Sequence, residues 1–190
     1  MATTPQEVPS DPTFIPSPSF VITCACLTLD PATDTVLLAR APSDQPDAPH
    51  AHCVPQGPKN IDEGLLSAAV RHTLEATGAA IEPLRLRVPT RAGLWHYGDG
   101  HSSPREEGDV VEDLENCEPF AACEVSEGGV RRIVFYFLAG RKKRGEEGEE
   151  GGGVWVSVGD VERGVVGLSE EEGKVVRTGV ELARRAGVMS

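Results

Sequence analysis

The residues of this chain best suited to chemistry lie between Gly57 and Gly78: Glu63, Arg71, His72 and Glu75, with Lys59 near the start of the segment. Carboxylate oxygens and imidazole nitrogens ligate divalent cations. A neutral imidazole favours Zn²⁺ or Mn²⁺, whereas Mg²⁺ prefers oxygen. Arginine supplies a fixed positive charge that can orient a neighbouring carboxylate. An α-helix turns about 100° per residue, so positions 72, 75 and 76 fall within about 100° of arc on one side. His72 and Glu75 share that side with Ala76, which has nothing to ligate with.

Such a face needs a helix, and the helix needs a loop and a sheet to hold it. Residues 63–77 have helical periodicity, with Leu66, Val70 and Leu74 recurring every four residues as the expected buried stripe, roughly opposite the 72/75/76 side. Gly78 suits the position that ends a helix in a left-handed conformation. Upstream, residues 20–29 (FVITCACLTL) read as a buried strand and residues 35–39 (TVLLA) as a second, paired across a turn at residues 30–34. A loop containing Pro and His follows, and residues 53–57 lead into the helix. Downstream, residues 84–88 alternate Leu and Arg as a strand exposed on one side. Residues 120–125 and 130–139 flank Ser126-Glu127-Gly128-Gly129, a hairpin signal. Residues 154–158 (VWVSV) form another strand, and Ser169 with Glu172 makes a capping box for a last helix ending near Ala186. The expected fold class is α/β: one domain over residues 20–187 behind a disordered, Pro-rich arm at 1–19, with flexible loop insertions at 98–118 and 141–153.

The segment G57-PKNID-E63-GLLSAAV-R71-HTL-E75-AT-G78 resembles the Nudix box: Gly, five residues, Glu, seven residues, then Arg-Glu-apolar-any-Glu-Glu-any-Gly. Gly57, Glu63, Arg71, Glu75 and Gly78 stand at the required spacings. The flanking strands, the Glu118-Pro119-Phe120-Ala121 stretch and the closing helix are similar to the diphosphoinositol polyphosphate phosphohydrolase-like branch of that superfamily. The resemblance implies an α/β/α sandwich with a mixed sheet. It also implies hydrolysis of a phosphoanhydride, with Mg²⁺ or Mn²⁺ bridging the phosphates and helping to generate or position an attacking water.

By the same resemblance positions 72, 75 and 76 should all be Glu, and here they are His72, Glu75 and Ala76. Glu75 is then the principal surviving metal ligand and Glu63 an auxiliary one. His72 is a replacement ligand or base, and Arg71 anchors the helix against Glu75 or the preceding loop. Where the inositol branch has Leu-Pro-Lys-Gly-Arg-Lys at the box entrance, this chain has Val54-Pro55-Gln56-Gly57-Pro58-Lys59. Gly57 and Lys59 remain as substrate-contacting candidates, and a highly phosphorylated inositol becomes a minority option.

Composition narrows the partners. The 30 acidic against 18 basic residues give a net charge of −12, which repels nucleic-acid polymers and anionic membranes and attracts cations. No apolar run reaches the roughly 20 residues that cross a bilayer, and the N-terminal segment lacks the basic and apolar regions of a secretory signal. The five cysteines include no CxxC pair, so a reduced cytoplasmic or nuclear protein is expected.

Several further constellations carry weaker readings. His50-Ala51-His52-Cys53 has zinc-ligand types without a second pair. Cys24 and Cys26 share a strand face as buried packing. Glu106, Glu107, Glu112 and Glu115 are loop acids that could stand in for a lost ligand. Arg131-Arg132 and residues 141–144 are basic, and Trp95, Tyr97 and Trp155 are candidates for stacking. The expected function is divalent-metal-dependent hydrolysis of a nucleoside-diphosphate-linked or related diphosphate, weakened by the lost glutamates. The alternative is a non-catalytic module that binds a phosphate-containing ligand or a partner protein. The sequence sets no oligomeric state.

Overall fold

The computed structural model describes residues 19–41, 52–87, 115–127, 130–142 and 152–189. The expected N-terminal arm, most of both expected insertions, and His50, Trp95, Tyr97, Glu106, Glu107 and Glu112 lie outside these residues.

The apolar run at the start of the described chain forms β1 (Phe20–Asp30). It is buried from Thr23 to Asp30, as a strand covered on both faces must be. Along residues 20–29 it pairs in parallel with β7 (Val130–Arg141), and these two strands form the middle of the sheet. β2 (Thr35–Arg40) returns antiparallel after a turn in which Asp34 adopts a φ of 52°. Asp is one of the few residues that tolerate this left-handed conformation.

β1 and β2 stay paired only between residues 28–30 and 35–37. Beyond that the chain at residues 52–58 fills the space between them. β3 (His52–Cys53) pairs with β2, and β4 (Gln56–Pro58) pairs with β1. β8 (Gly153–Ser157) pairs with β2, while β5 (Ile81–Pro83) and β6 (Ala121–Glu127) pair with successive stretches of β7. The result is a mixed sheet of eight strands.

Alternation along β1 sorts two cores. Ala25, Leu27 and Leu29 pack with α2 (Val158–Glu162) and α3 (Glu170–Arg185), whereas Cys24 and Cys26 pack with α1 (Leu65–Thr77) on the other face. The architecture is the expected α/β/α layering around a mixed sheet, with α2 as an element the sequence did not signal. No helix among the described residues is long and apolar enough to cross a membrane.

Two expectations are corrected. The buried face of α1 is Ala68, Ala69, Thr73 and Thr77, with Leu66 and Val70 at its flank, and Leu74 is 51% exposed. Small side chains let the helix sit close to Cys24 and Cys26. The threonines can be buried because each hydroxyl donates within the helix, Thr73 Oγ1 to Ala69 O at 3.0 Å and Thr77 Oγ1 to Thr73 O at 2.6 Å. Hydrophobic periodicity alone favours the leucines and misses this solution. The expected strand at residues 84–88 is also absent from its described part. The strand lies earlier, at β5, and Leu86 makes a single bridge to Asn116.

The closing helix begins as expected. Ser169 Oγ accepts the Glu172 N–H at 3.2 Å, and Glu172 Oε2 accepts the Ser169 N–H at 3.3 Å. Glu172 Oε1 also accepts the Val54 N–H at 3.1 Å, tying α3 to the chain that enters the box. Midway along α3, a Cβ at Gly179 would overlap Leu27 Cδ2 and lie 3.1 Å from both Leu138 and Phe120. Gly179→Ala should therefore lower stability in urea unfolding by about 1–3 kcal/mol, the usual cost of overpacking. Helix propensity alone favours Ala over Gly by about 1 kcal/mol, so a stabilised variant would contradict this close approach.

Candidate functional site

Because residues 52–58 are built into the sheet between β1 and β2, Gly57 and Pro58 have a fixed place beside α1. Gly57 is buried, and a Cβ there would overlap Cε1, Nδ1 and Nε2 of His72. The imidazole thus lies against the bare backbone of the glycine, which no other residue type permits. His72 is 15% exposed at its side chain.

The ring is oriented from both ends. His72 Nε2 lies 2.8 Å from the Pro58 carbonyl oxygen, which can only accept, so Nε2 carries a proton. Nδ1 lies 3.2 Å from Glu75 Oε2. A lone pair facing a carboxylate is unfavourable unless a proton or a cation lies between them. In metal sites a ligating histidine typically donates its other N–H to a backbone carbonyl or a carboxylate, and the Pro58 contact has that form.

Arg71 organises the rest. Its Nε and Nη2 each donate to Glu63 at 2.8 Å in a two-pronged pair, Nη1 donates to Glu75 Oε2 at 3.1 Å, and Nη2 reaches Pro58 O at 3.3 Å. The Asn60 N–H donates to Glu63 Oε2 at 2.9 Å. The Arg71 hydrogen bonds, followed by the Asn60 N–H, hold the Glu63 carboxyl at about 2. The Arg71 guanidinium is pushed up in turn, chiefly by Glu63.

These contacts divide the expected site residues. Gly57, Lys59, Glu63, Arg71, His72 and Glu75 come together in one loop–helix unit. Within it both Glu63 oxygens accept from Arg71, so Glu63 braces the loop against the helix. Helix α1 starts at Leu65, two residues later than expected, with Gly64 as its N-cap. Lys59 donates its ammonium to Asn60 O at 2.9 Å. Ala76 is exposed on the helix and supplies no donor. Among the described residues no group of three or more His, Cys, Asp or Glu side chains could hold a metal ion by itself. His72 Nδ1 and Glu75 Oε2, 3.2 Å apart, are close enough to share one cation. The Pro58 carbonyl and the Asn60 N–H leave no signal in the sequence, because every residue type offers the carbonyl and every one but proline the N–H.

Several described members of the other constellations have structural surroundings. Burial pushes the Cys26 thiol up to about 12 and raises Cys24, so the pair under α1 is protonated packing. Cys53 is pushed up to about 11 by burial and then by Glu172. Arg131 pairs with Glu124 at 3.2 Å. Arg141 spans Asp30, at 2.9 Å, and the Trp155 ring, 5.0 Å from its centroid.

No model of a protein family matches the sequence, and no curated protein matches it. Solved structures do match. A NUDIX hydrolase from Nitrosomonas europaea is 14% identical, with 89% of this chain and 90% of that chain covered and a TM-score of 0.54. An Ap4A hydrolase from C. elegans is 15% identical over 85% of this chain and 97% of that one, also at 0.54. A NUDIX-family hydrolase from Clostridium perfringens is 16% identical over 85% and 96%, at 0.53. The chain has the fold of these hydrolases, and identities this low carry the fold and nothing finer.

Two outcomes follow from the geometry. Gly57→Ala should destabilise the protein by about 1–3 kcal/mol. Most of that loss should vanish when His72→Ala removes the ring, a non-additivity that a double-mutant cycle in urea would read. Glu63 has a folded-state value below its unfolded one of about 4.3, so its contribution is present above that value and lost as pH falls through about 2. Between pH 5 and pH 2, Glu63→Gln should therefore lose less stability than the wild type. Parallel curves for the two would contradict the Arg71 pairing.

Proposed function

We propose that this chain is a Nudix-type, divalent-metal-dependent hydrolase of a nucleoside-diphosphate-linked or related diphosphate, with activity reduced by its altered box. The observation that carries the reading is the 3.2 Å approach of His72 Nδ1 to Glu75 Oε2, with Nε2 anchored on Pro58 O so that Nδ1 is the nitrogen left to face a cation. Two protein donors are few, yet Mg²⁺-type sites commonly use one or two protein ligands together with the substrate's own phosphates. A nitrogen donor in the pair favours Mn²⁺ over Mg²⁺. The cation, when bound, neutralises phosphate charge and helps position an attacking water.

The residues of the chain do the remaining work. Arg71 holds Glu75 through Nη1 and keeps its carboxylate turned toward His72. Lys59, the residue after Pro58, supplies a positive charge at the box entrance for an incoming phosphate. It stands alone where the inositol branch has three basic positions, which favours a substrate with fewer phosphates than an inositol polyphosphate. Ala76 leaves the site without a second carboxylate on this face. If the missing Glu is the general base, the loss is about 10²–10⁴-fold in rate.

A second reading is favoured by one observation, the commitment of both Glu63 oxygens to Arg71. It makes the box a latch for a module that binds a phosphate-containing ligand or a partner protein without turnover. Assays against dinucleoside polyphosphates, nucleotide sugars and diphosphoinositol phosphates, with Mg²⁺, Mn²⁺ and Zn²⁺ in turn, separate the two. The hydrolase reading expects weak turnover, faster with Mn²⁺ than with Mg²⁺, falling at least tenfold in Glu75→Gln. Absence of turnover with every metal, together with Mn²⁺ calorimetry identical in wild type and Glu75→Gln, would leave the binding module in its place.

A further inference from the structure

On the sheet face that carries α3, and so across the sheet from α1, a cavity of about 630 Å³ opens between the C-terminal end of α3 and the chain that follows β5. Its floor is apolar. Leu86 is 5% exposed and belongs to the α3-side core, and Leu182 and Val188 pack against that core from the helix side. Its charged lining is mostly positive, with Arg85 and Arg87 from the chain after β5 and Arg185 from α3 facing a single carboxylate, Glu115.

The wall that carries two of these arginines is held in place. Leu86 and Asn116 exchange both backbone hydrogen bonds, at 3.1 and 2.9 Å, and this bridge fixes Arg85 and Arg87 on either side of the buried Leu86. Both arginines are exposed, and among the described residues neither enters an ion pair, whereas Arg185 pairs with Glu181 at 2.5 Å and Arg184 with Glu162 at 2.8 Å. Arg184 and Arg185 sit in the last turn of α3, where they complement the negative end of the helix dipole. Arg85 and Arg87 come from a different element and exceed that need. Gathering guanidinium groups costs electrostatic energy unless an anion joins them, and a chain with a net charge of −12 has few cations to place. A planar guanidinium matches phosphate oxygens in a two-pronged bond, and the volume lies within the about 300–1,000 Å³ typical of small-molecule sites.

We propose that this cavity binds a small organic phosphate, its phosphate held by Arg85 and Arg87 and an apolar ring or chain laid on Leu86, Leu182 and Val188. The site is separate from the box and does not depend on the hydrolase reading. The test is calorimetric titration of the full chain with phenyl phosphate and with inorganic phosphate in the presence of EDTA, which silences any metal-dependent binding at His72 and Glu75. Phenyl phosphate should bind with a millimolar or tighter Kd, several-fold more tightly than inorganic phosphate. The Arg85→Gln/Arg87→Gln double variant should weaken it at least tenfold, and Glu75→Gln and Lys59→Gln should leave it unchanged. Both arginines are exposed, so the double variant should keep wild-type thermal stability. Absence of phenyl phosphate binding at millimolar concentration, or equal binding by the double variant, overturns the site. Equal affinity for the two phosphates overturns the role given to the apolar floor. Loss of binding in Glu75→Gln or Lys59→Gln would move it to the box and also overturn the proposal.

Discussion

The guanidinium of Arg71 is the contact on which the rest of the box depends. It reaches from the middle of α1 to both oxygens of Glu63, to Glu75 and to the Pro58 carbonyl, so one side chain fastens the loop to the helix at both ends of the loop. A side chain with five donors in a rigid fork can do this; lysine, a single point charge on a flexible stem, could not hold Glu63 in a two-pronged pair. The arrangement has a chemical cost. Each oxygen of the Glu63 carboxylate accepts from arginine, so the charge of this group is spent on holding the loop.

Arg71 can work this way because the sheet delivers Pro58 to it. β1 and β2 part after three paired residues each, and the chain at residues 52–58 completes both of them. That insertion makes Gly57 part of the sheet while the residues after Pro58 run on into the loop, and the His72 ring then covers the glycine. On the other side of the sheet, Glu172 accepts the Val54 N–H, so the same short segment is also tied to the start of α3. The position of the box is therefore set by backbone pairing and by a distant helix cap before any side chain of the box contributes.

Much of this was legible in the sequence. The apolar run of β1, the hairpin of β6 and β7 and the capping box at Ser169 and Glu172 are local patterns, and local physics decides them. So is the left-handed Gly78 that ends α1, with a φ of 69°. What the sequence hid depends on tertiary context. The buried face of α1 turned out to be alanines and threonines, because close packing on Cys24 and Cys26 outweighs the burial of Leu74. The seat of His72 on Gly57 needed the path of β4, and the commitment of Glu63 needed the path of the loop; neither path is encoded in spacing.

The contacts of α1 explain how the box can keep its form with His72 and Ala76 in it. Arg71 and the glycines at either end hold the architecture through the loop, and they do so without Ala76. Position 76 is exposed, so exchanging a carboxylate for a methyl group there removes charge without opening a cavity or leaving a buried group unpaired, and surface changes of that kind cost the fold little. Position 72 is different. An imidazole there fills the space above Gly57 and gains the Pro58 carbonyl, so the histidine is bound into the architecture in a way that a flexible glutamate need not be. The changes from the Nudix pattern are thus unequal in physical weight. Ala76 leaves the fold as it is, and His72 is a side chain that the loop holds in one orientation, with its remaining nitrogen turned to Glu75.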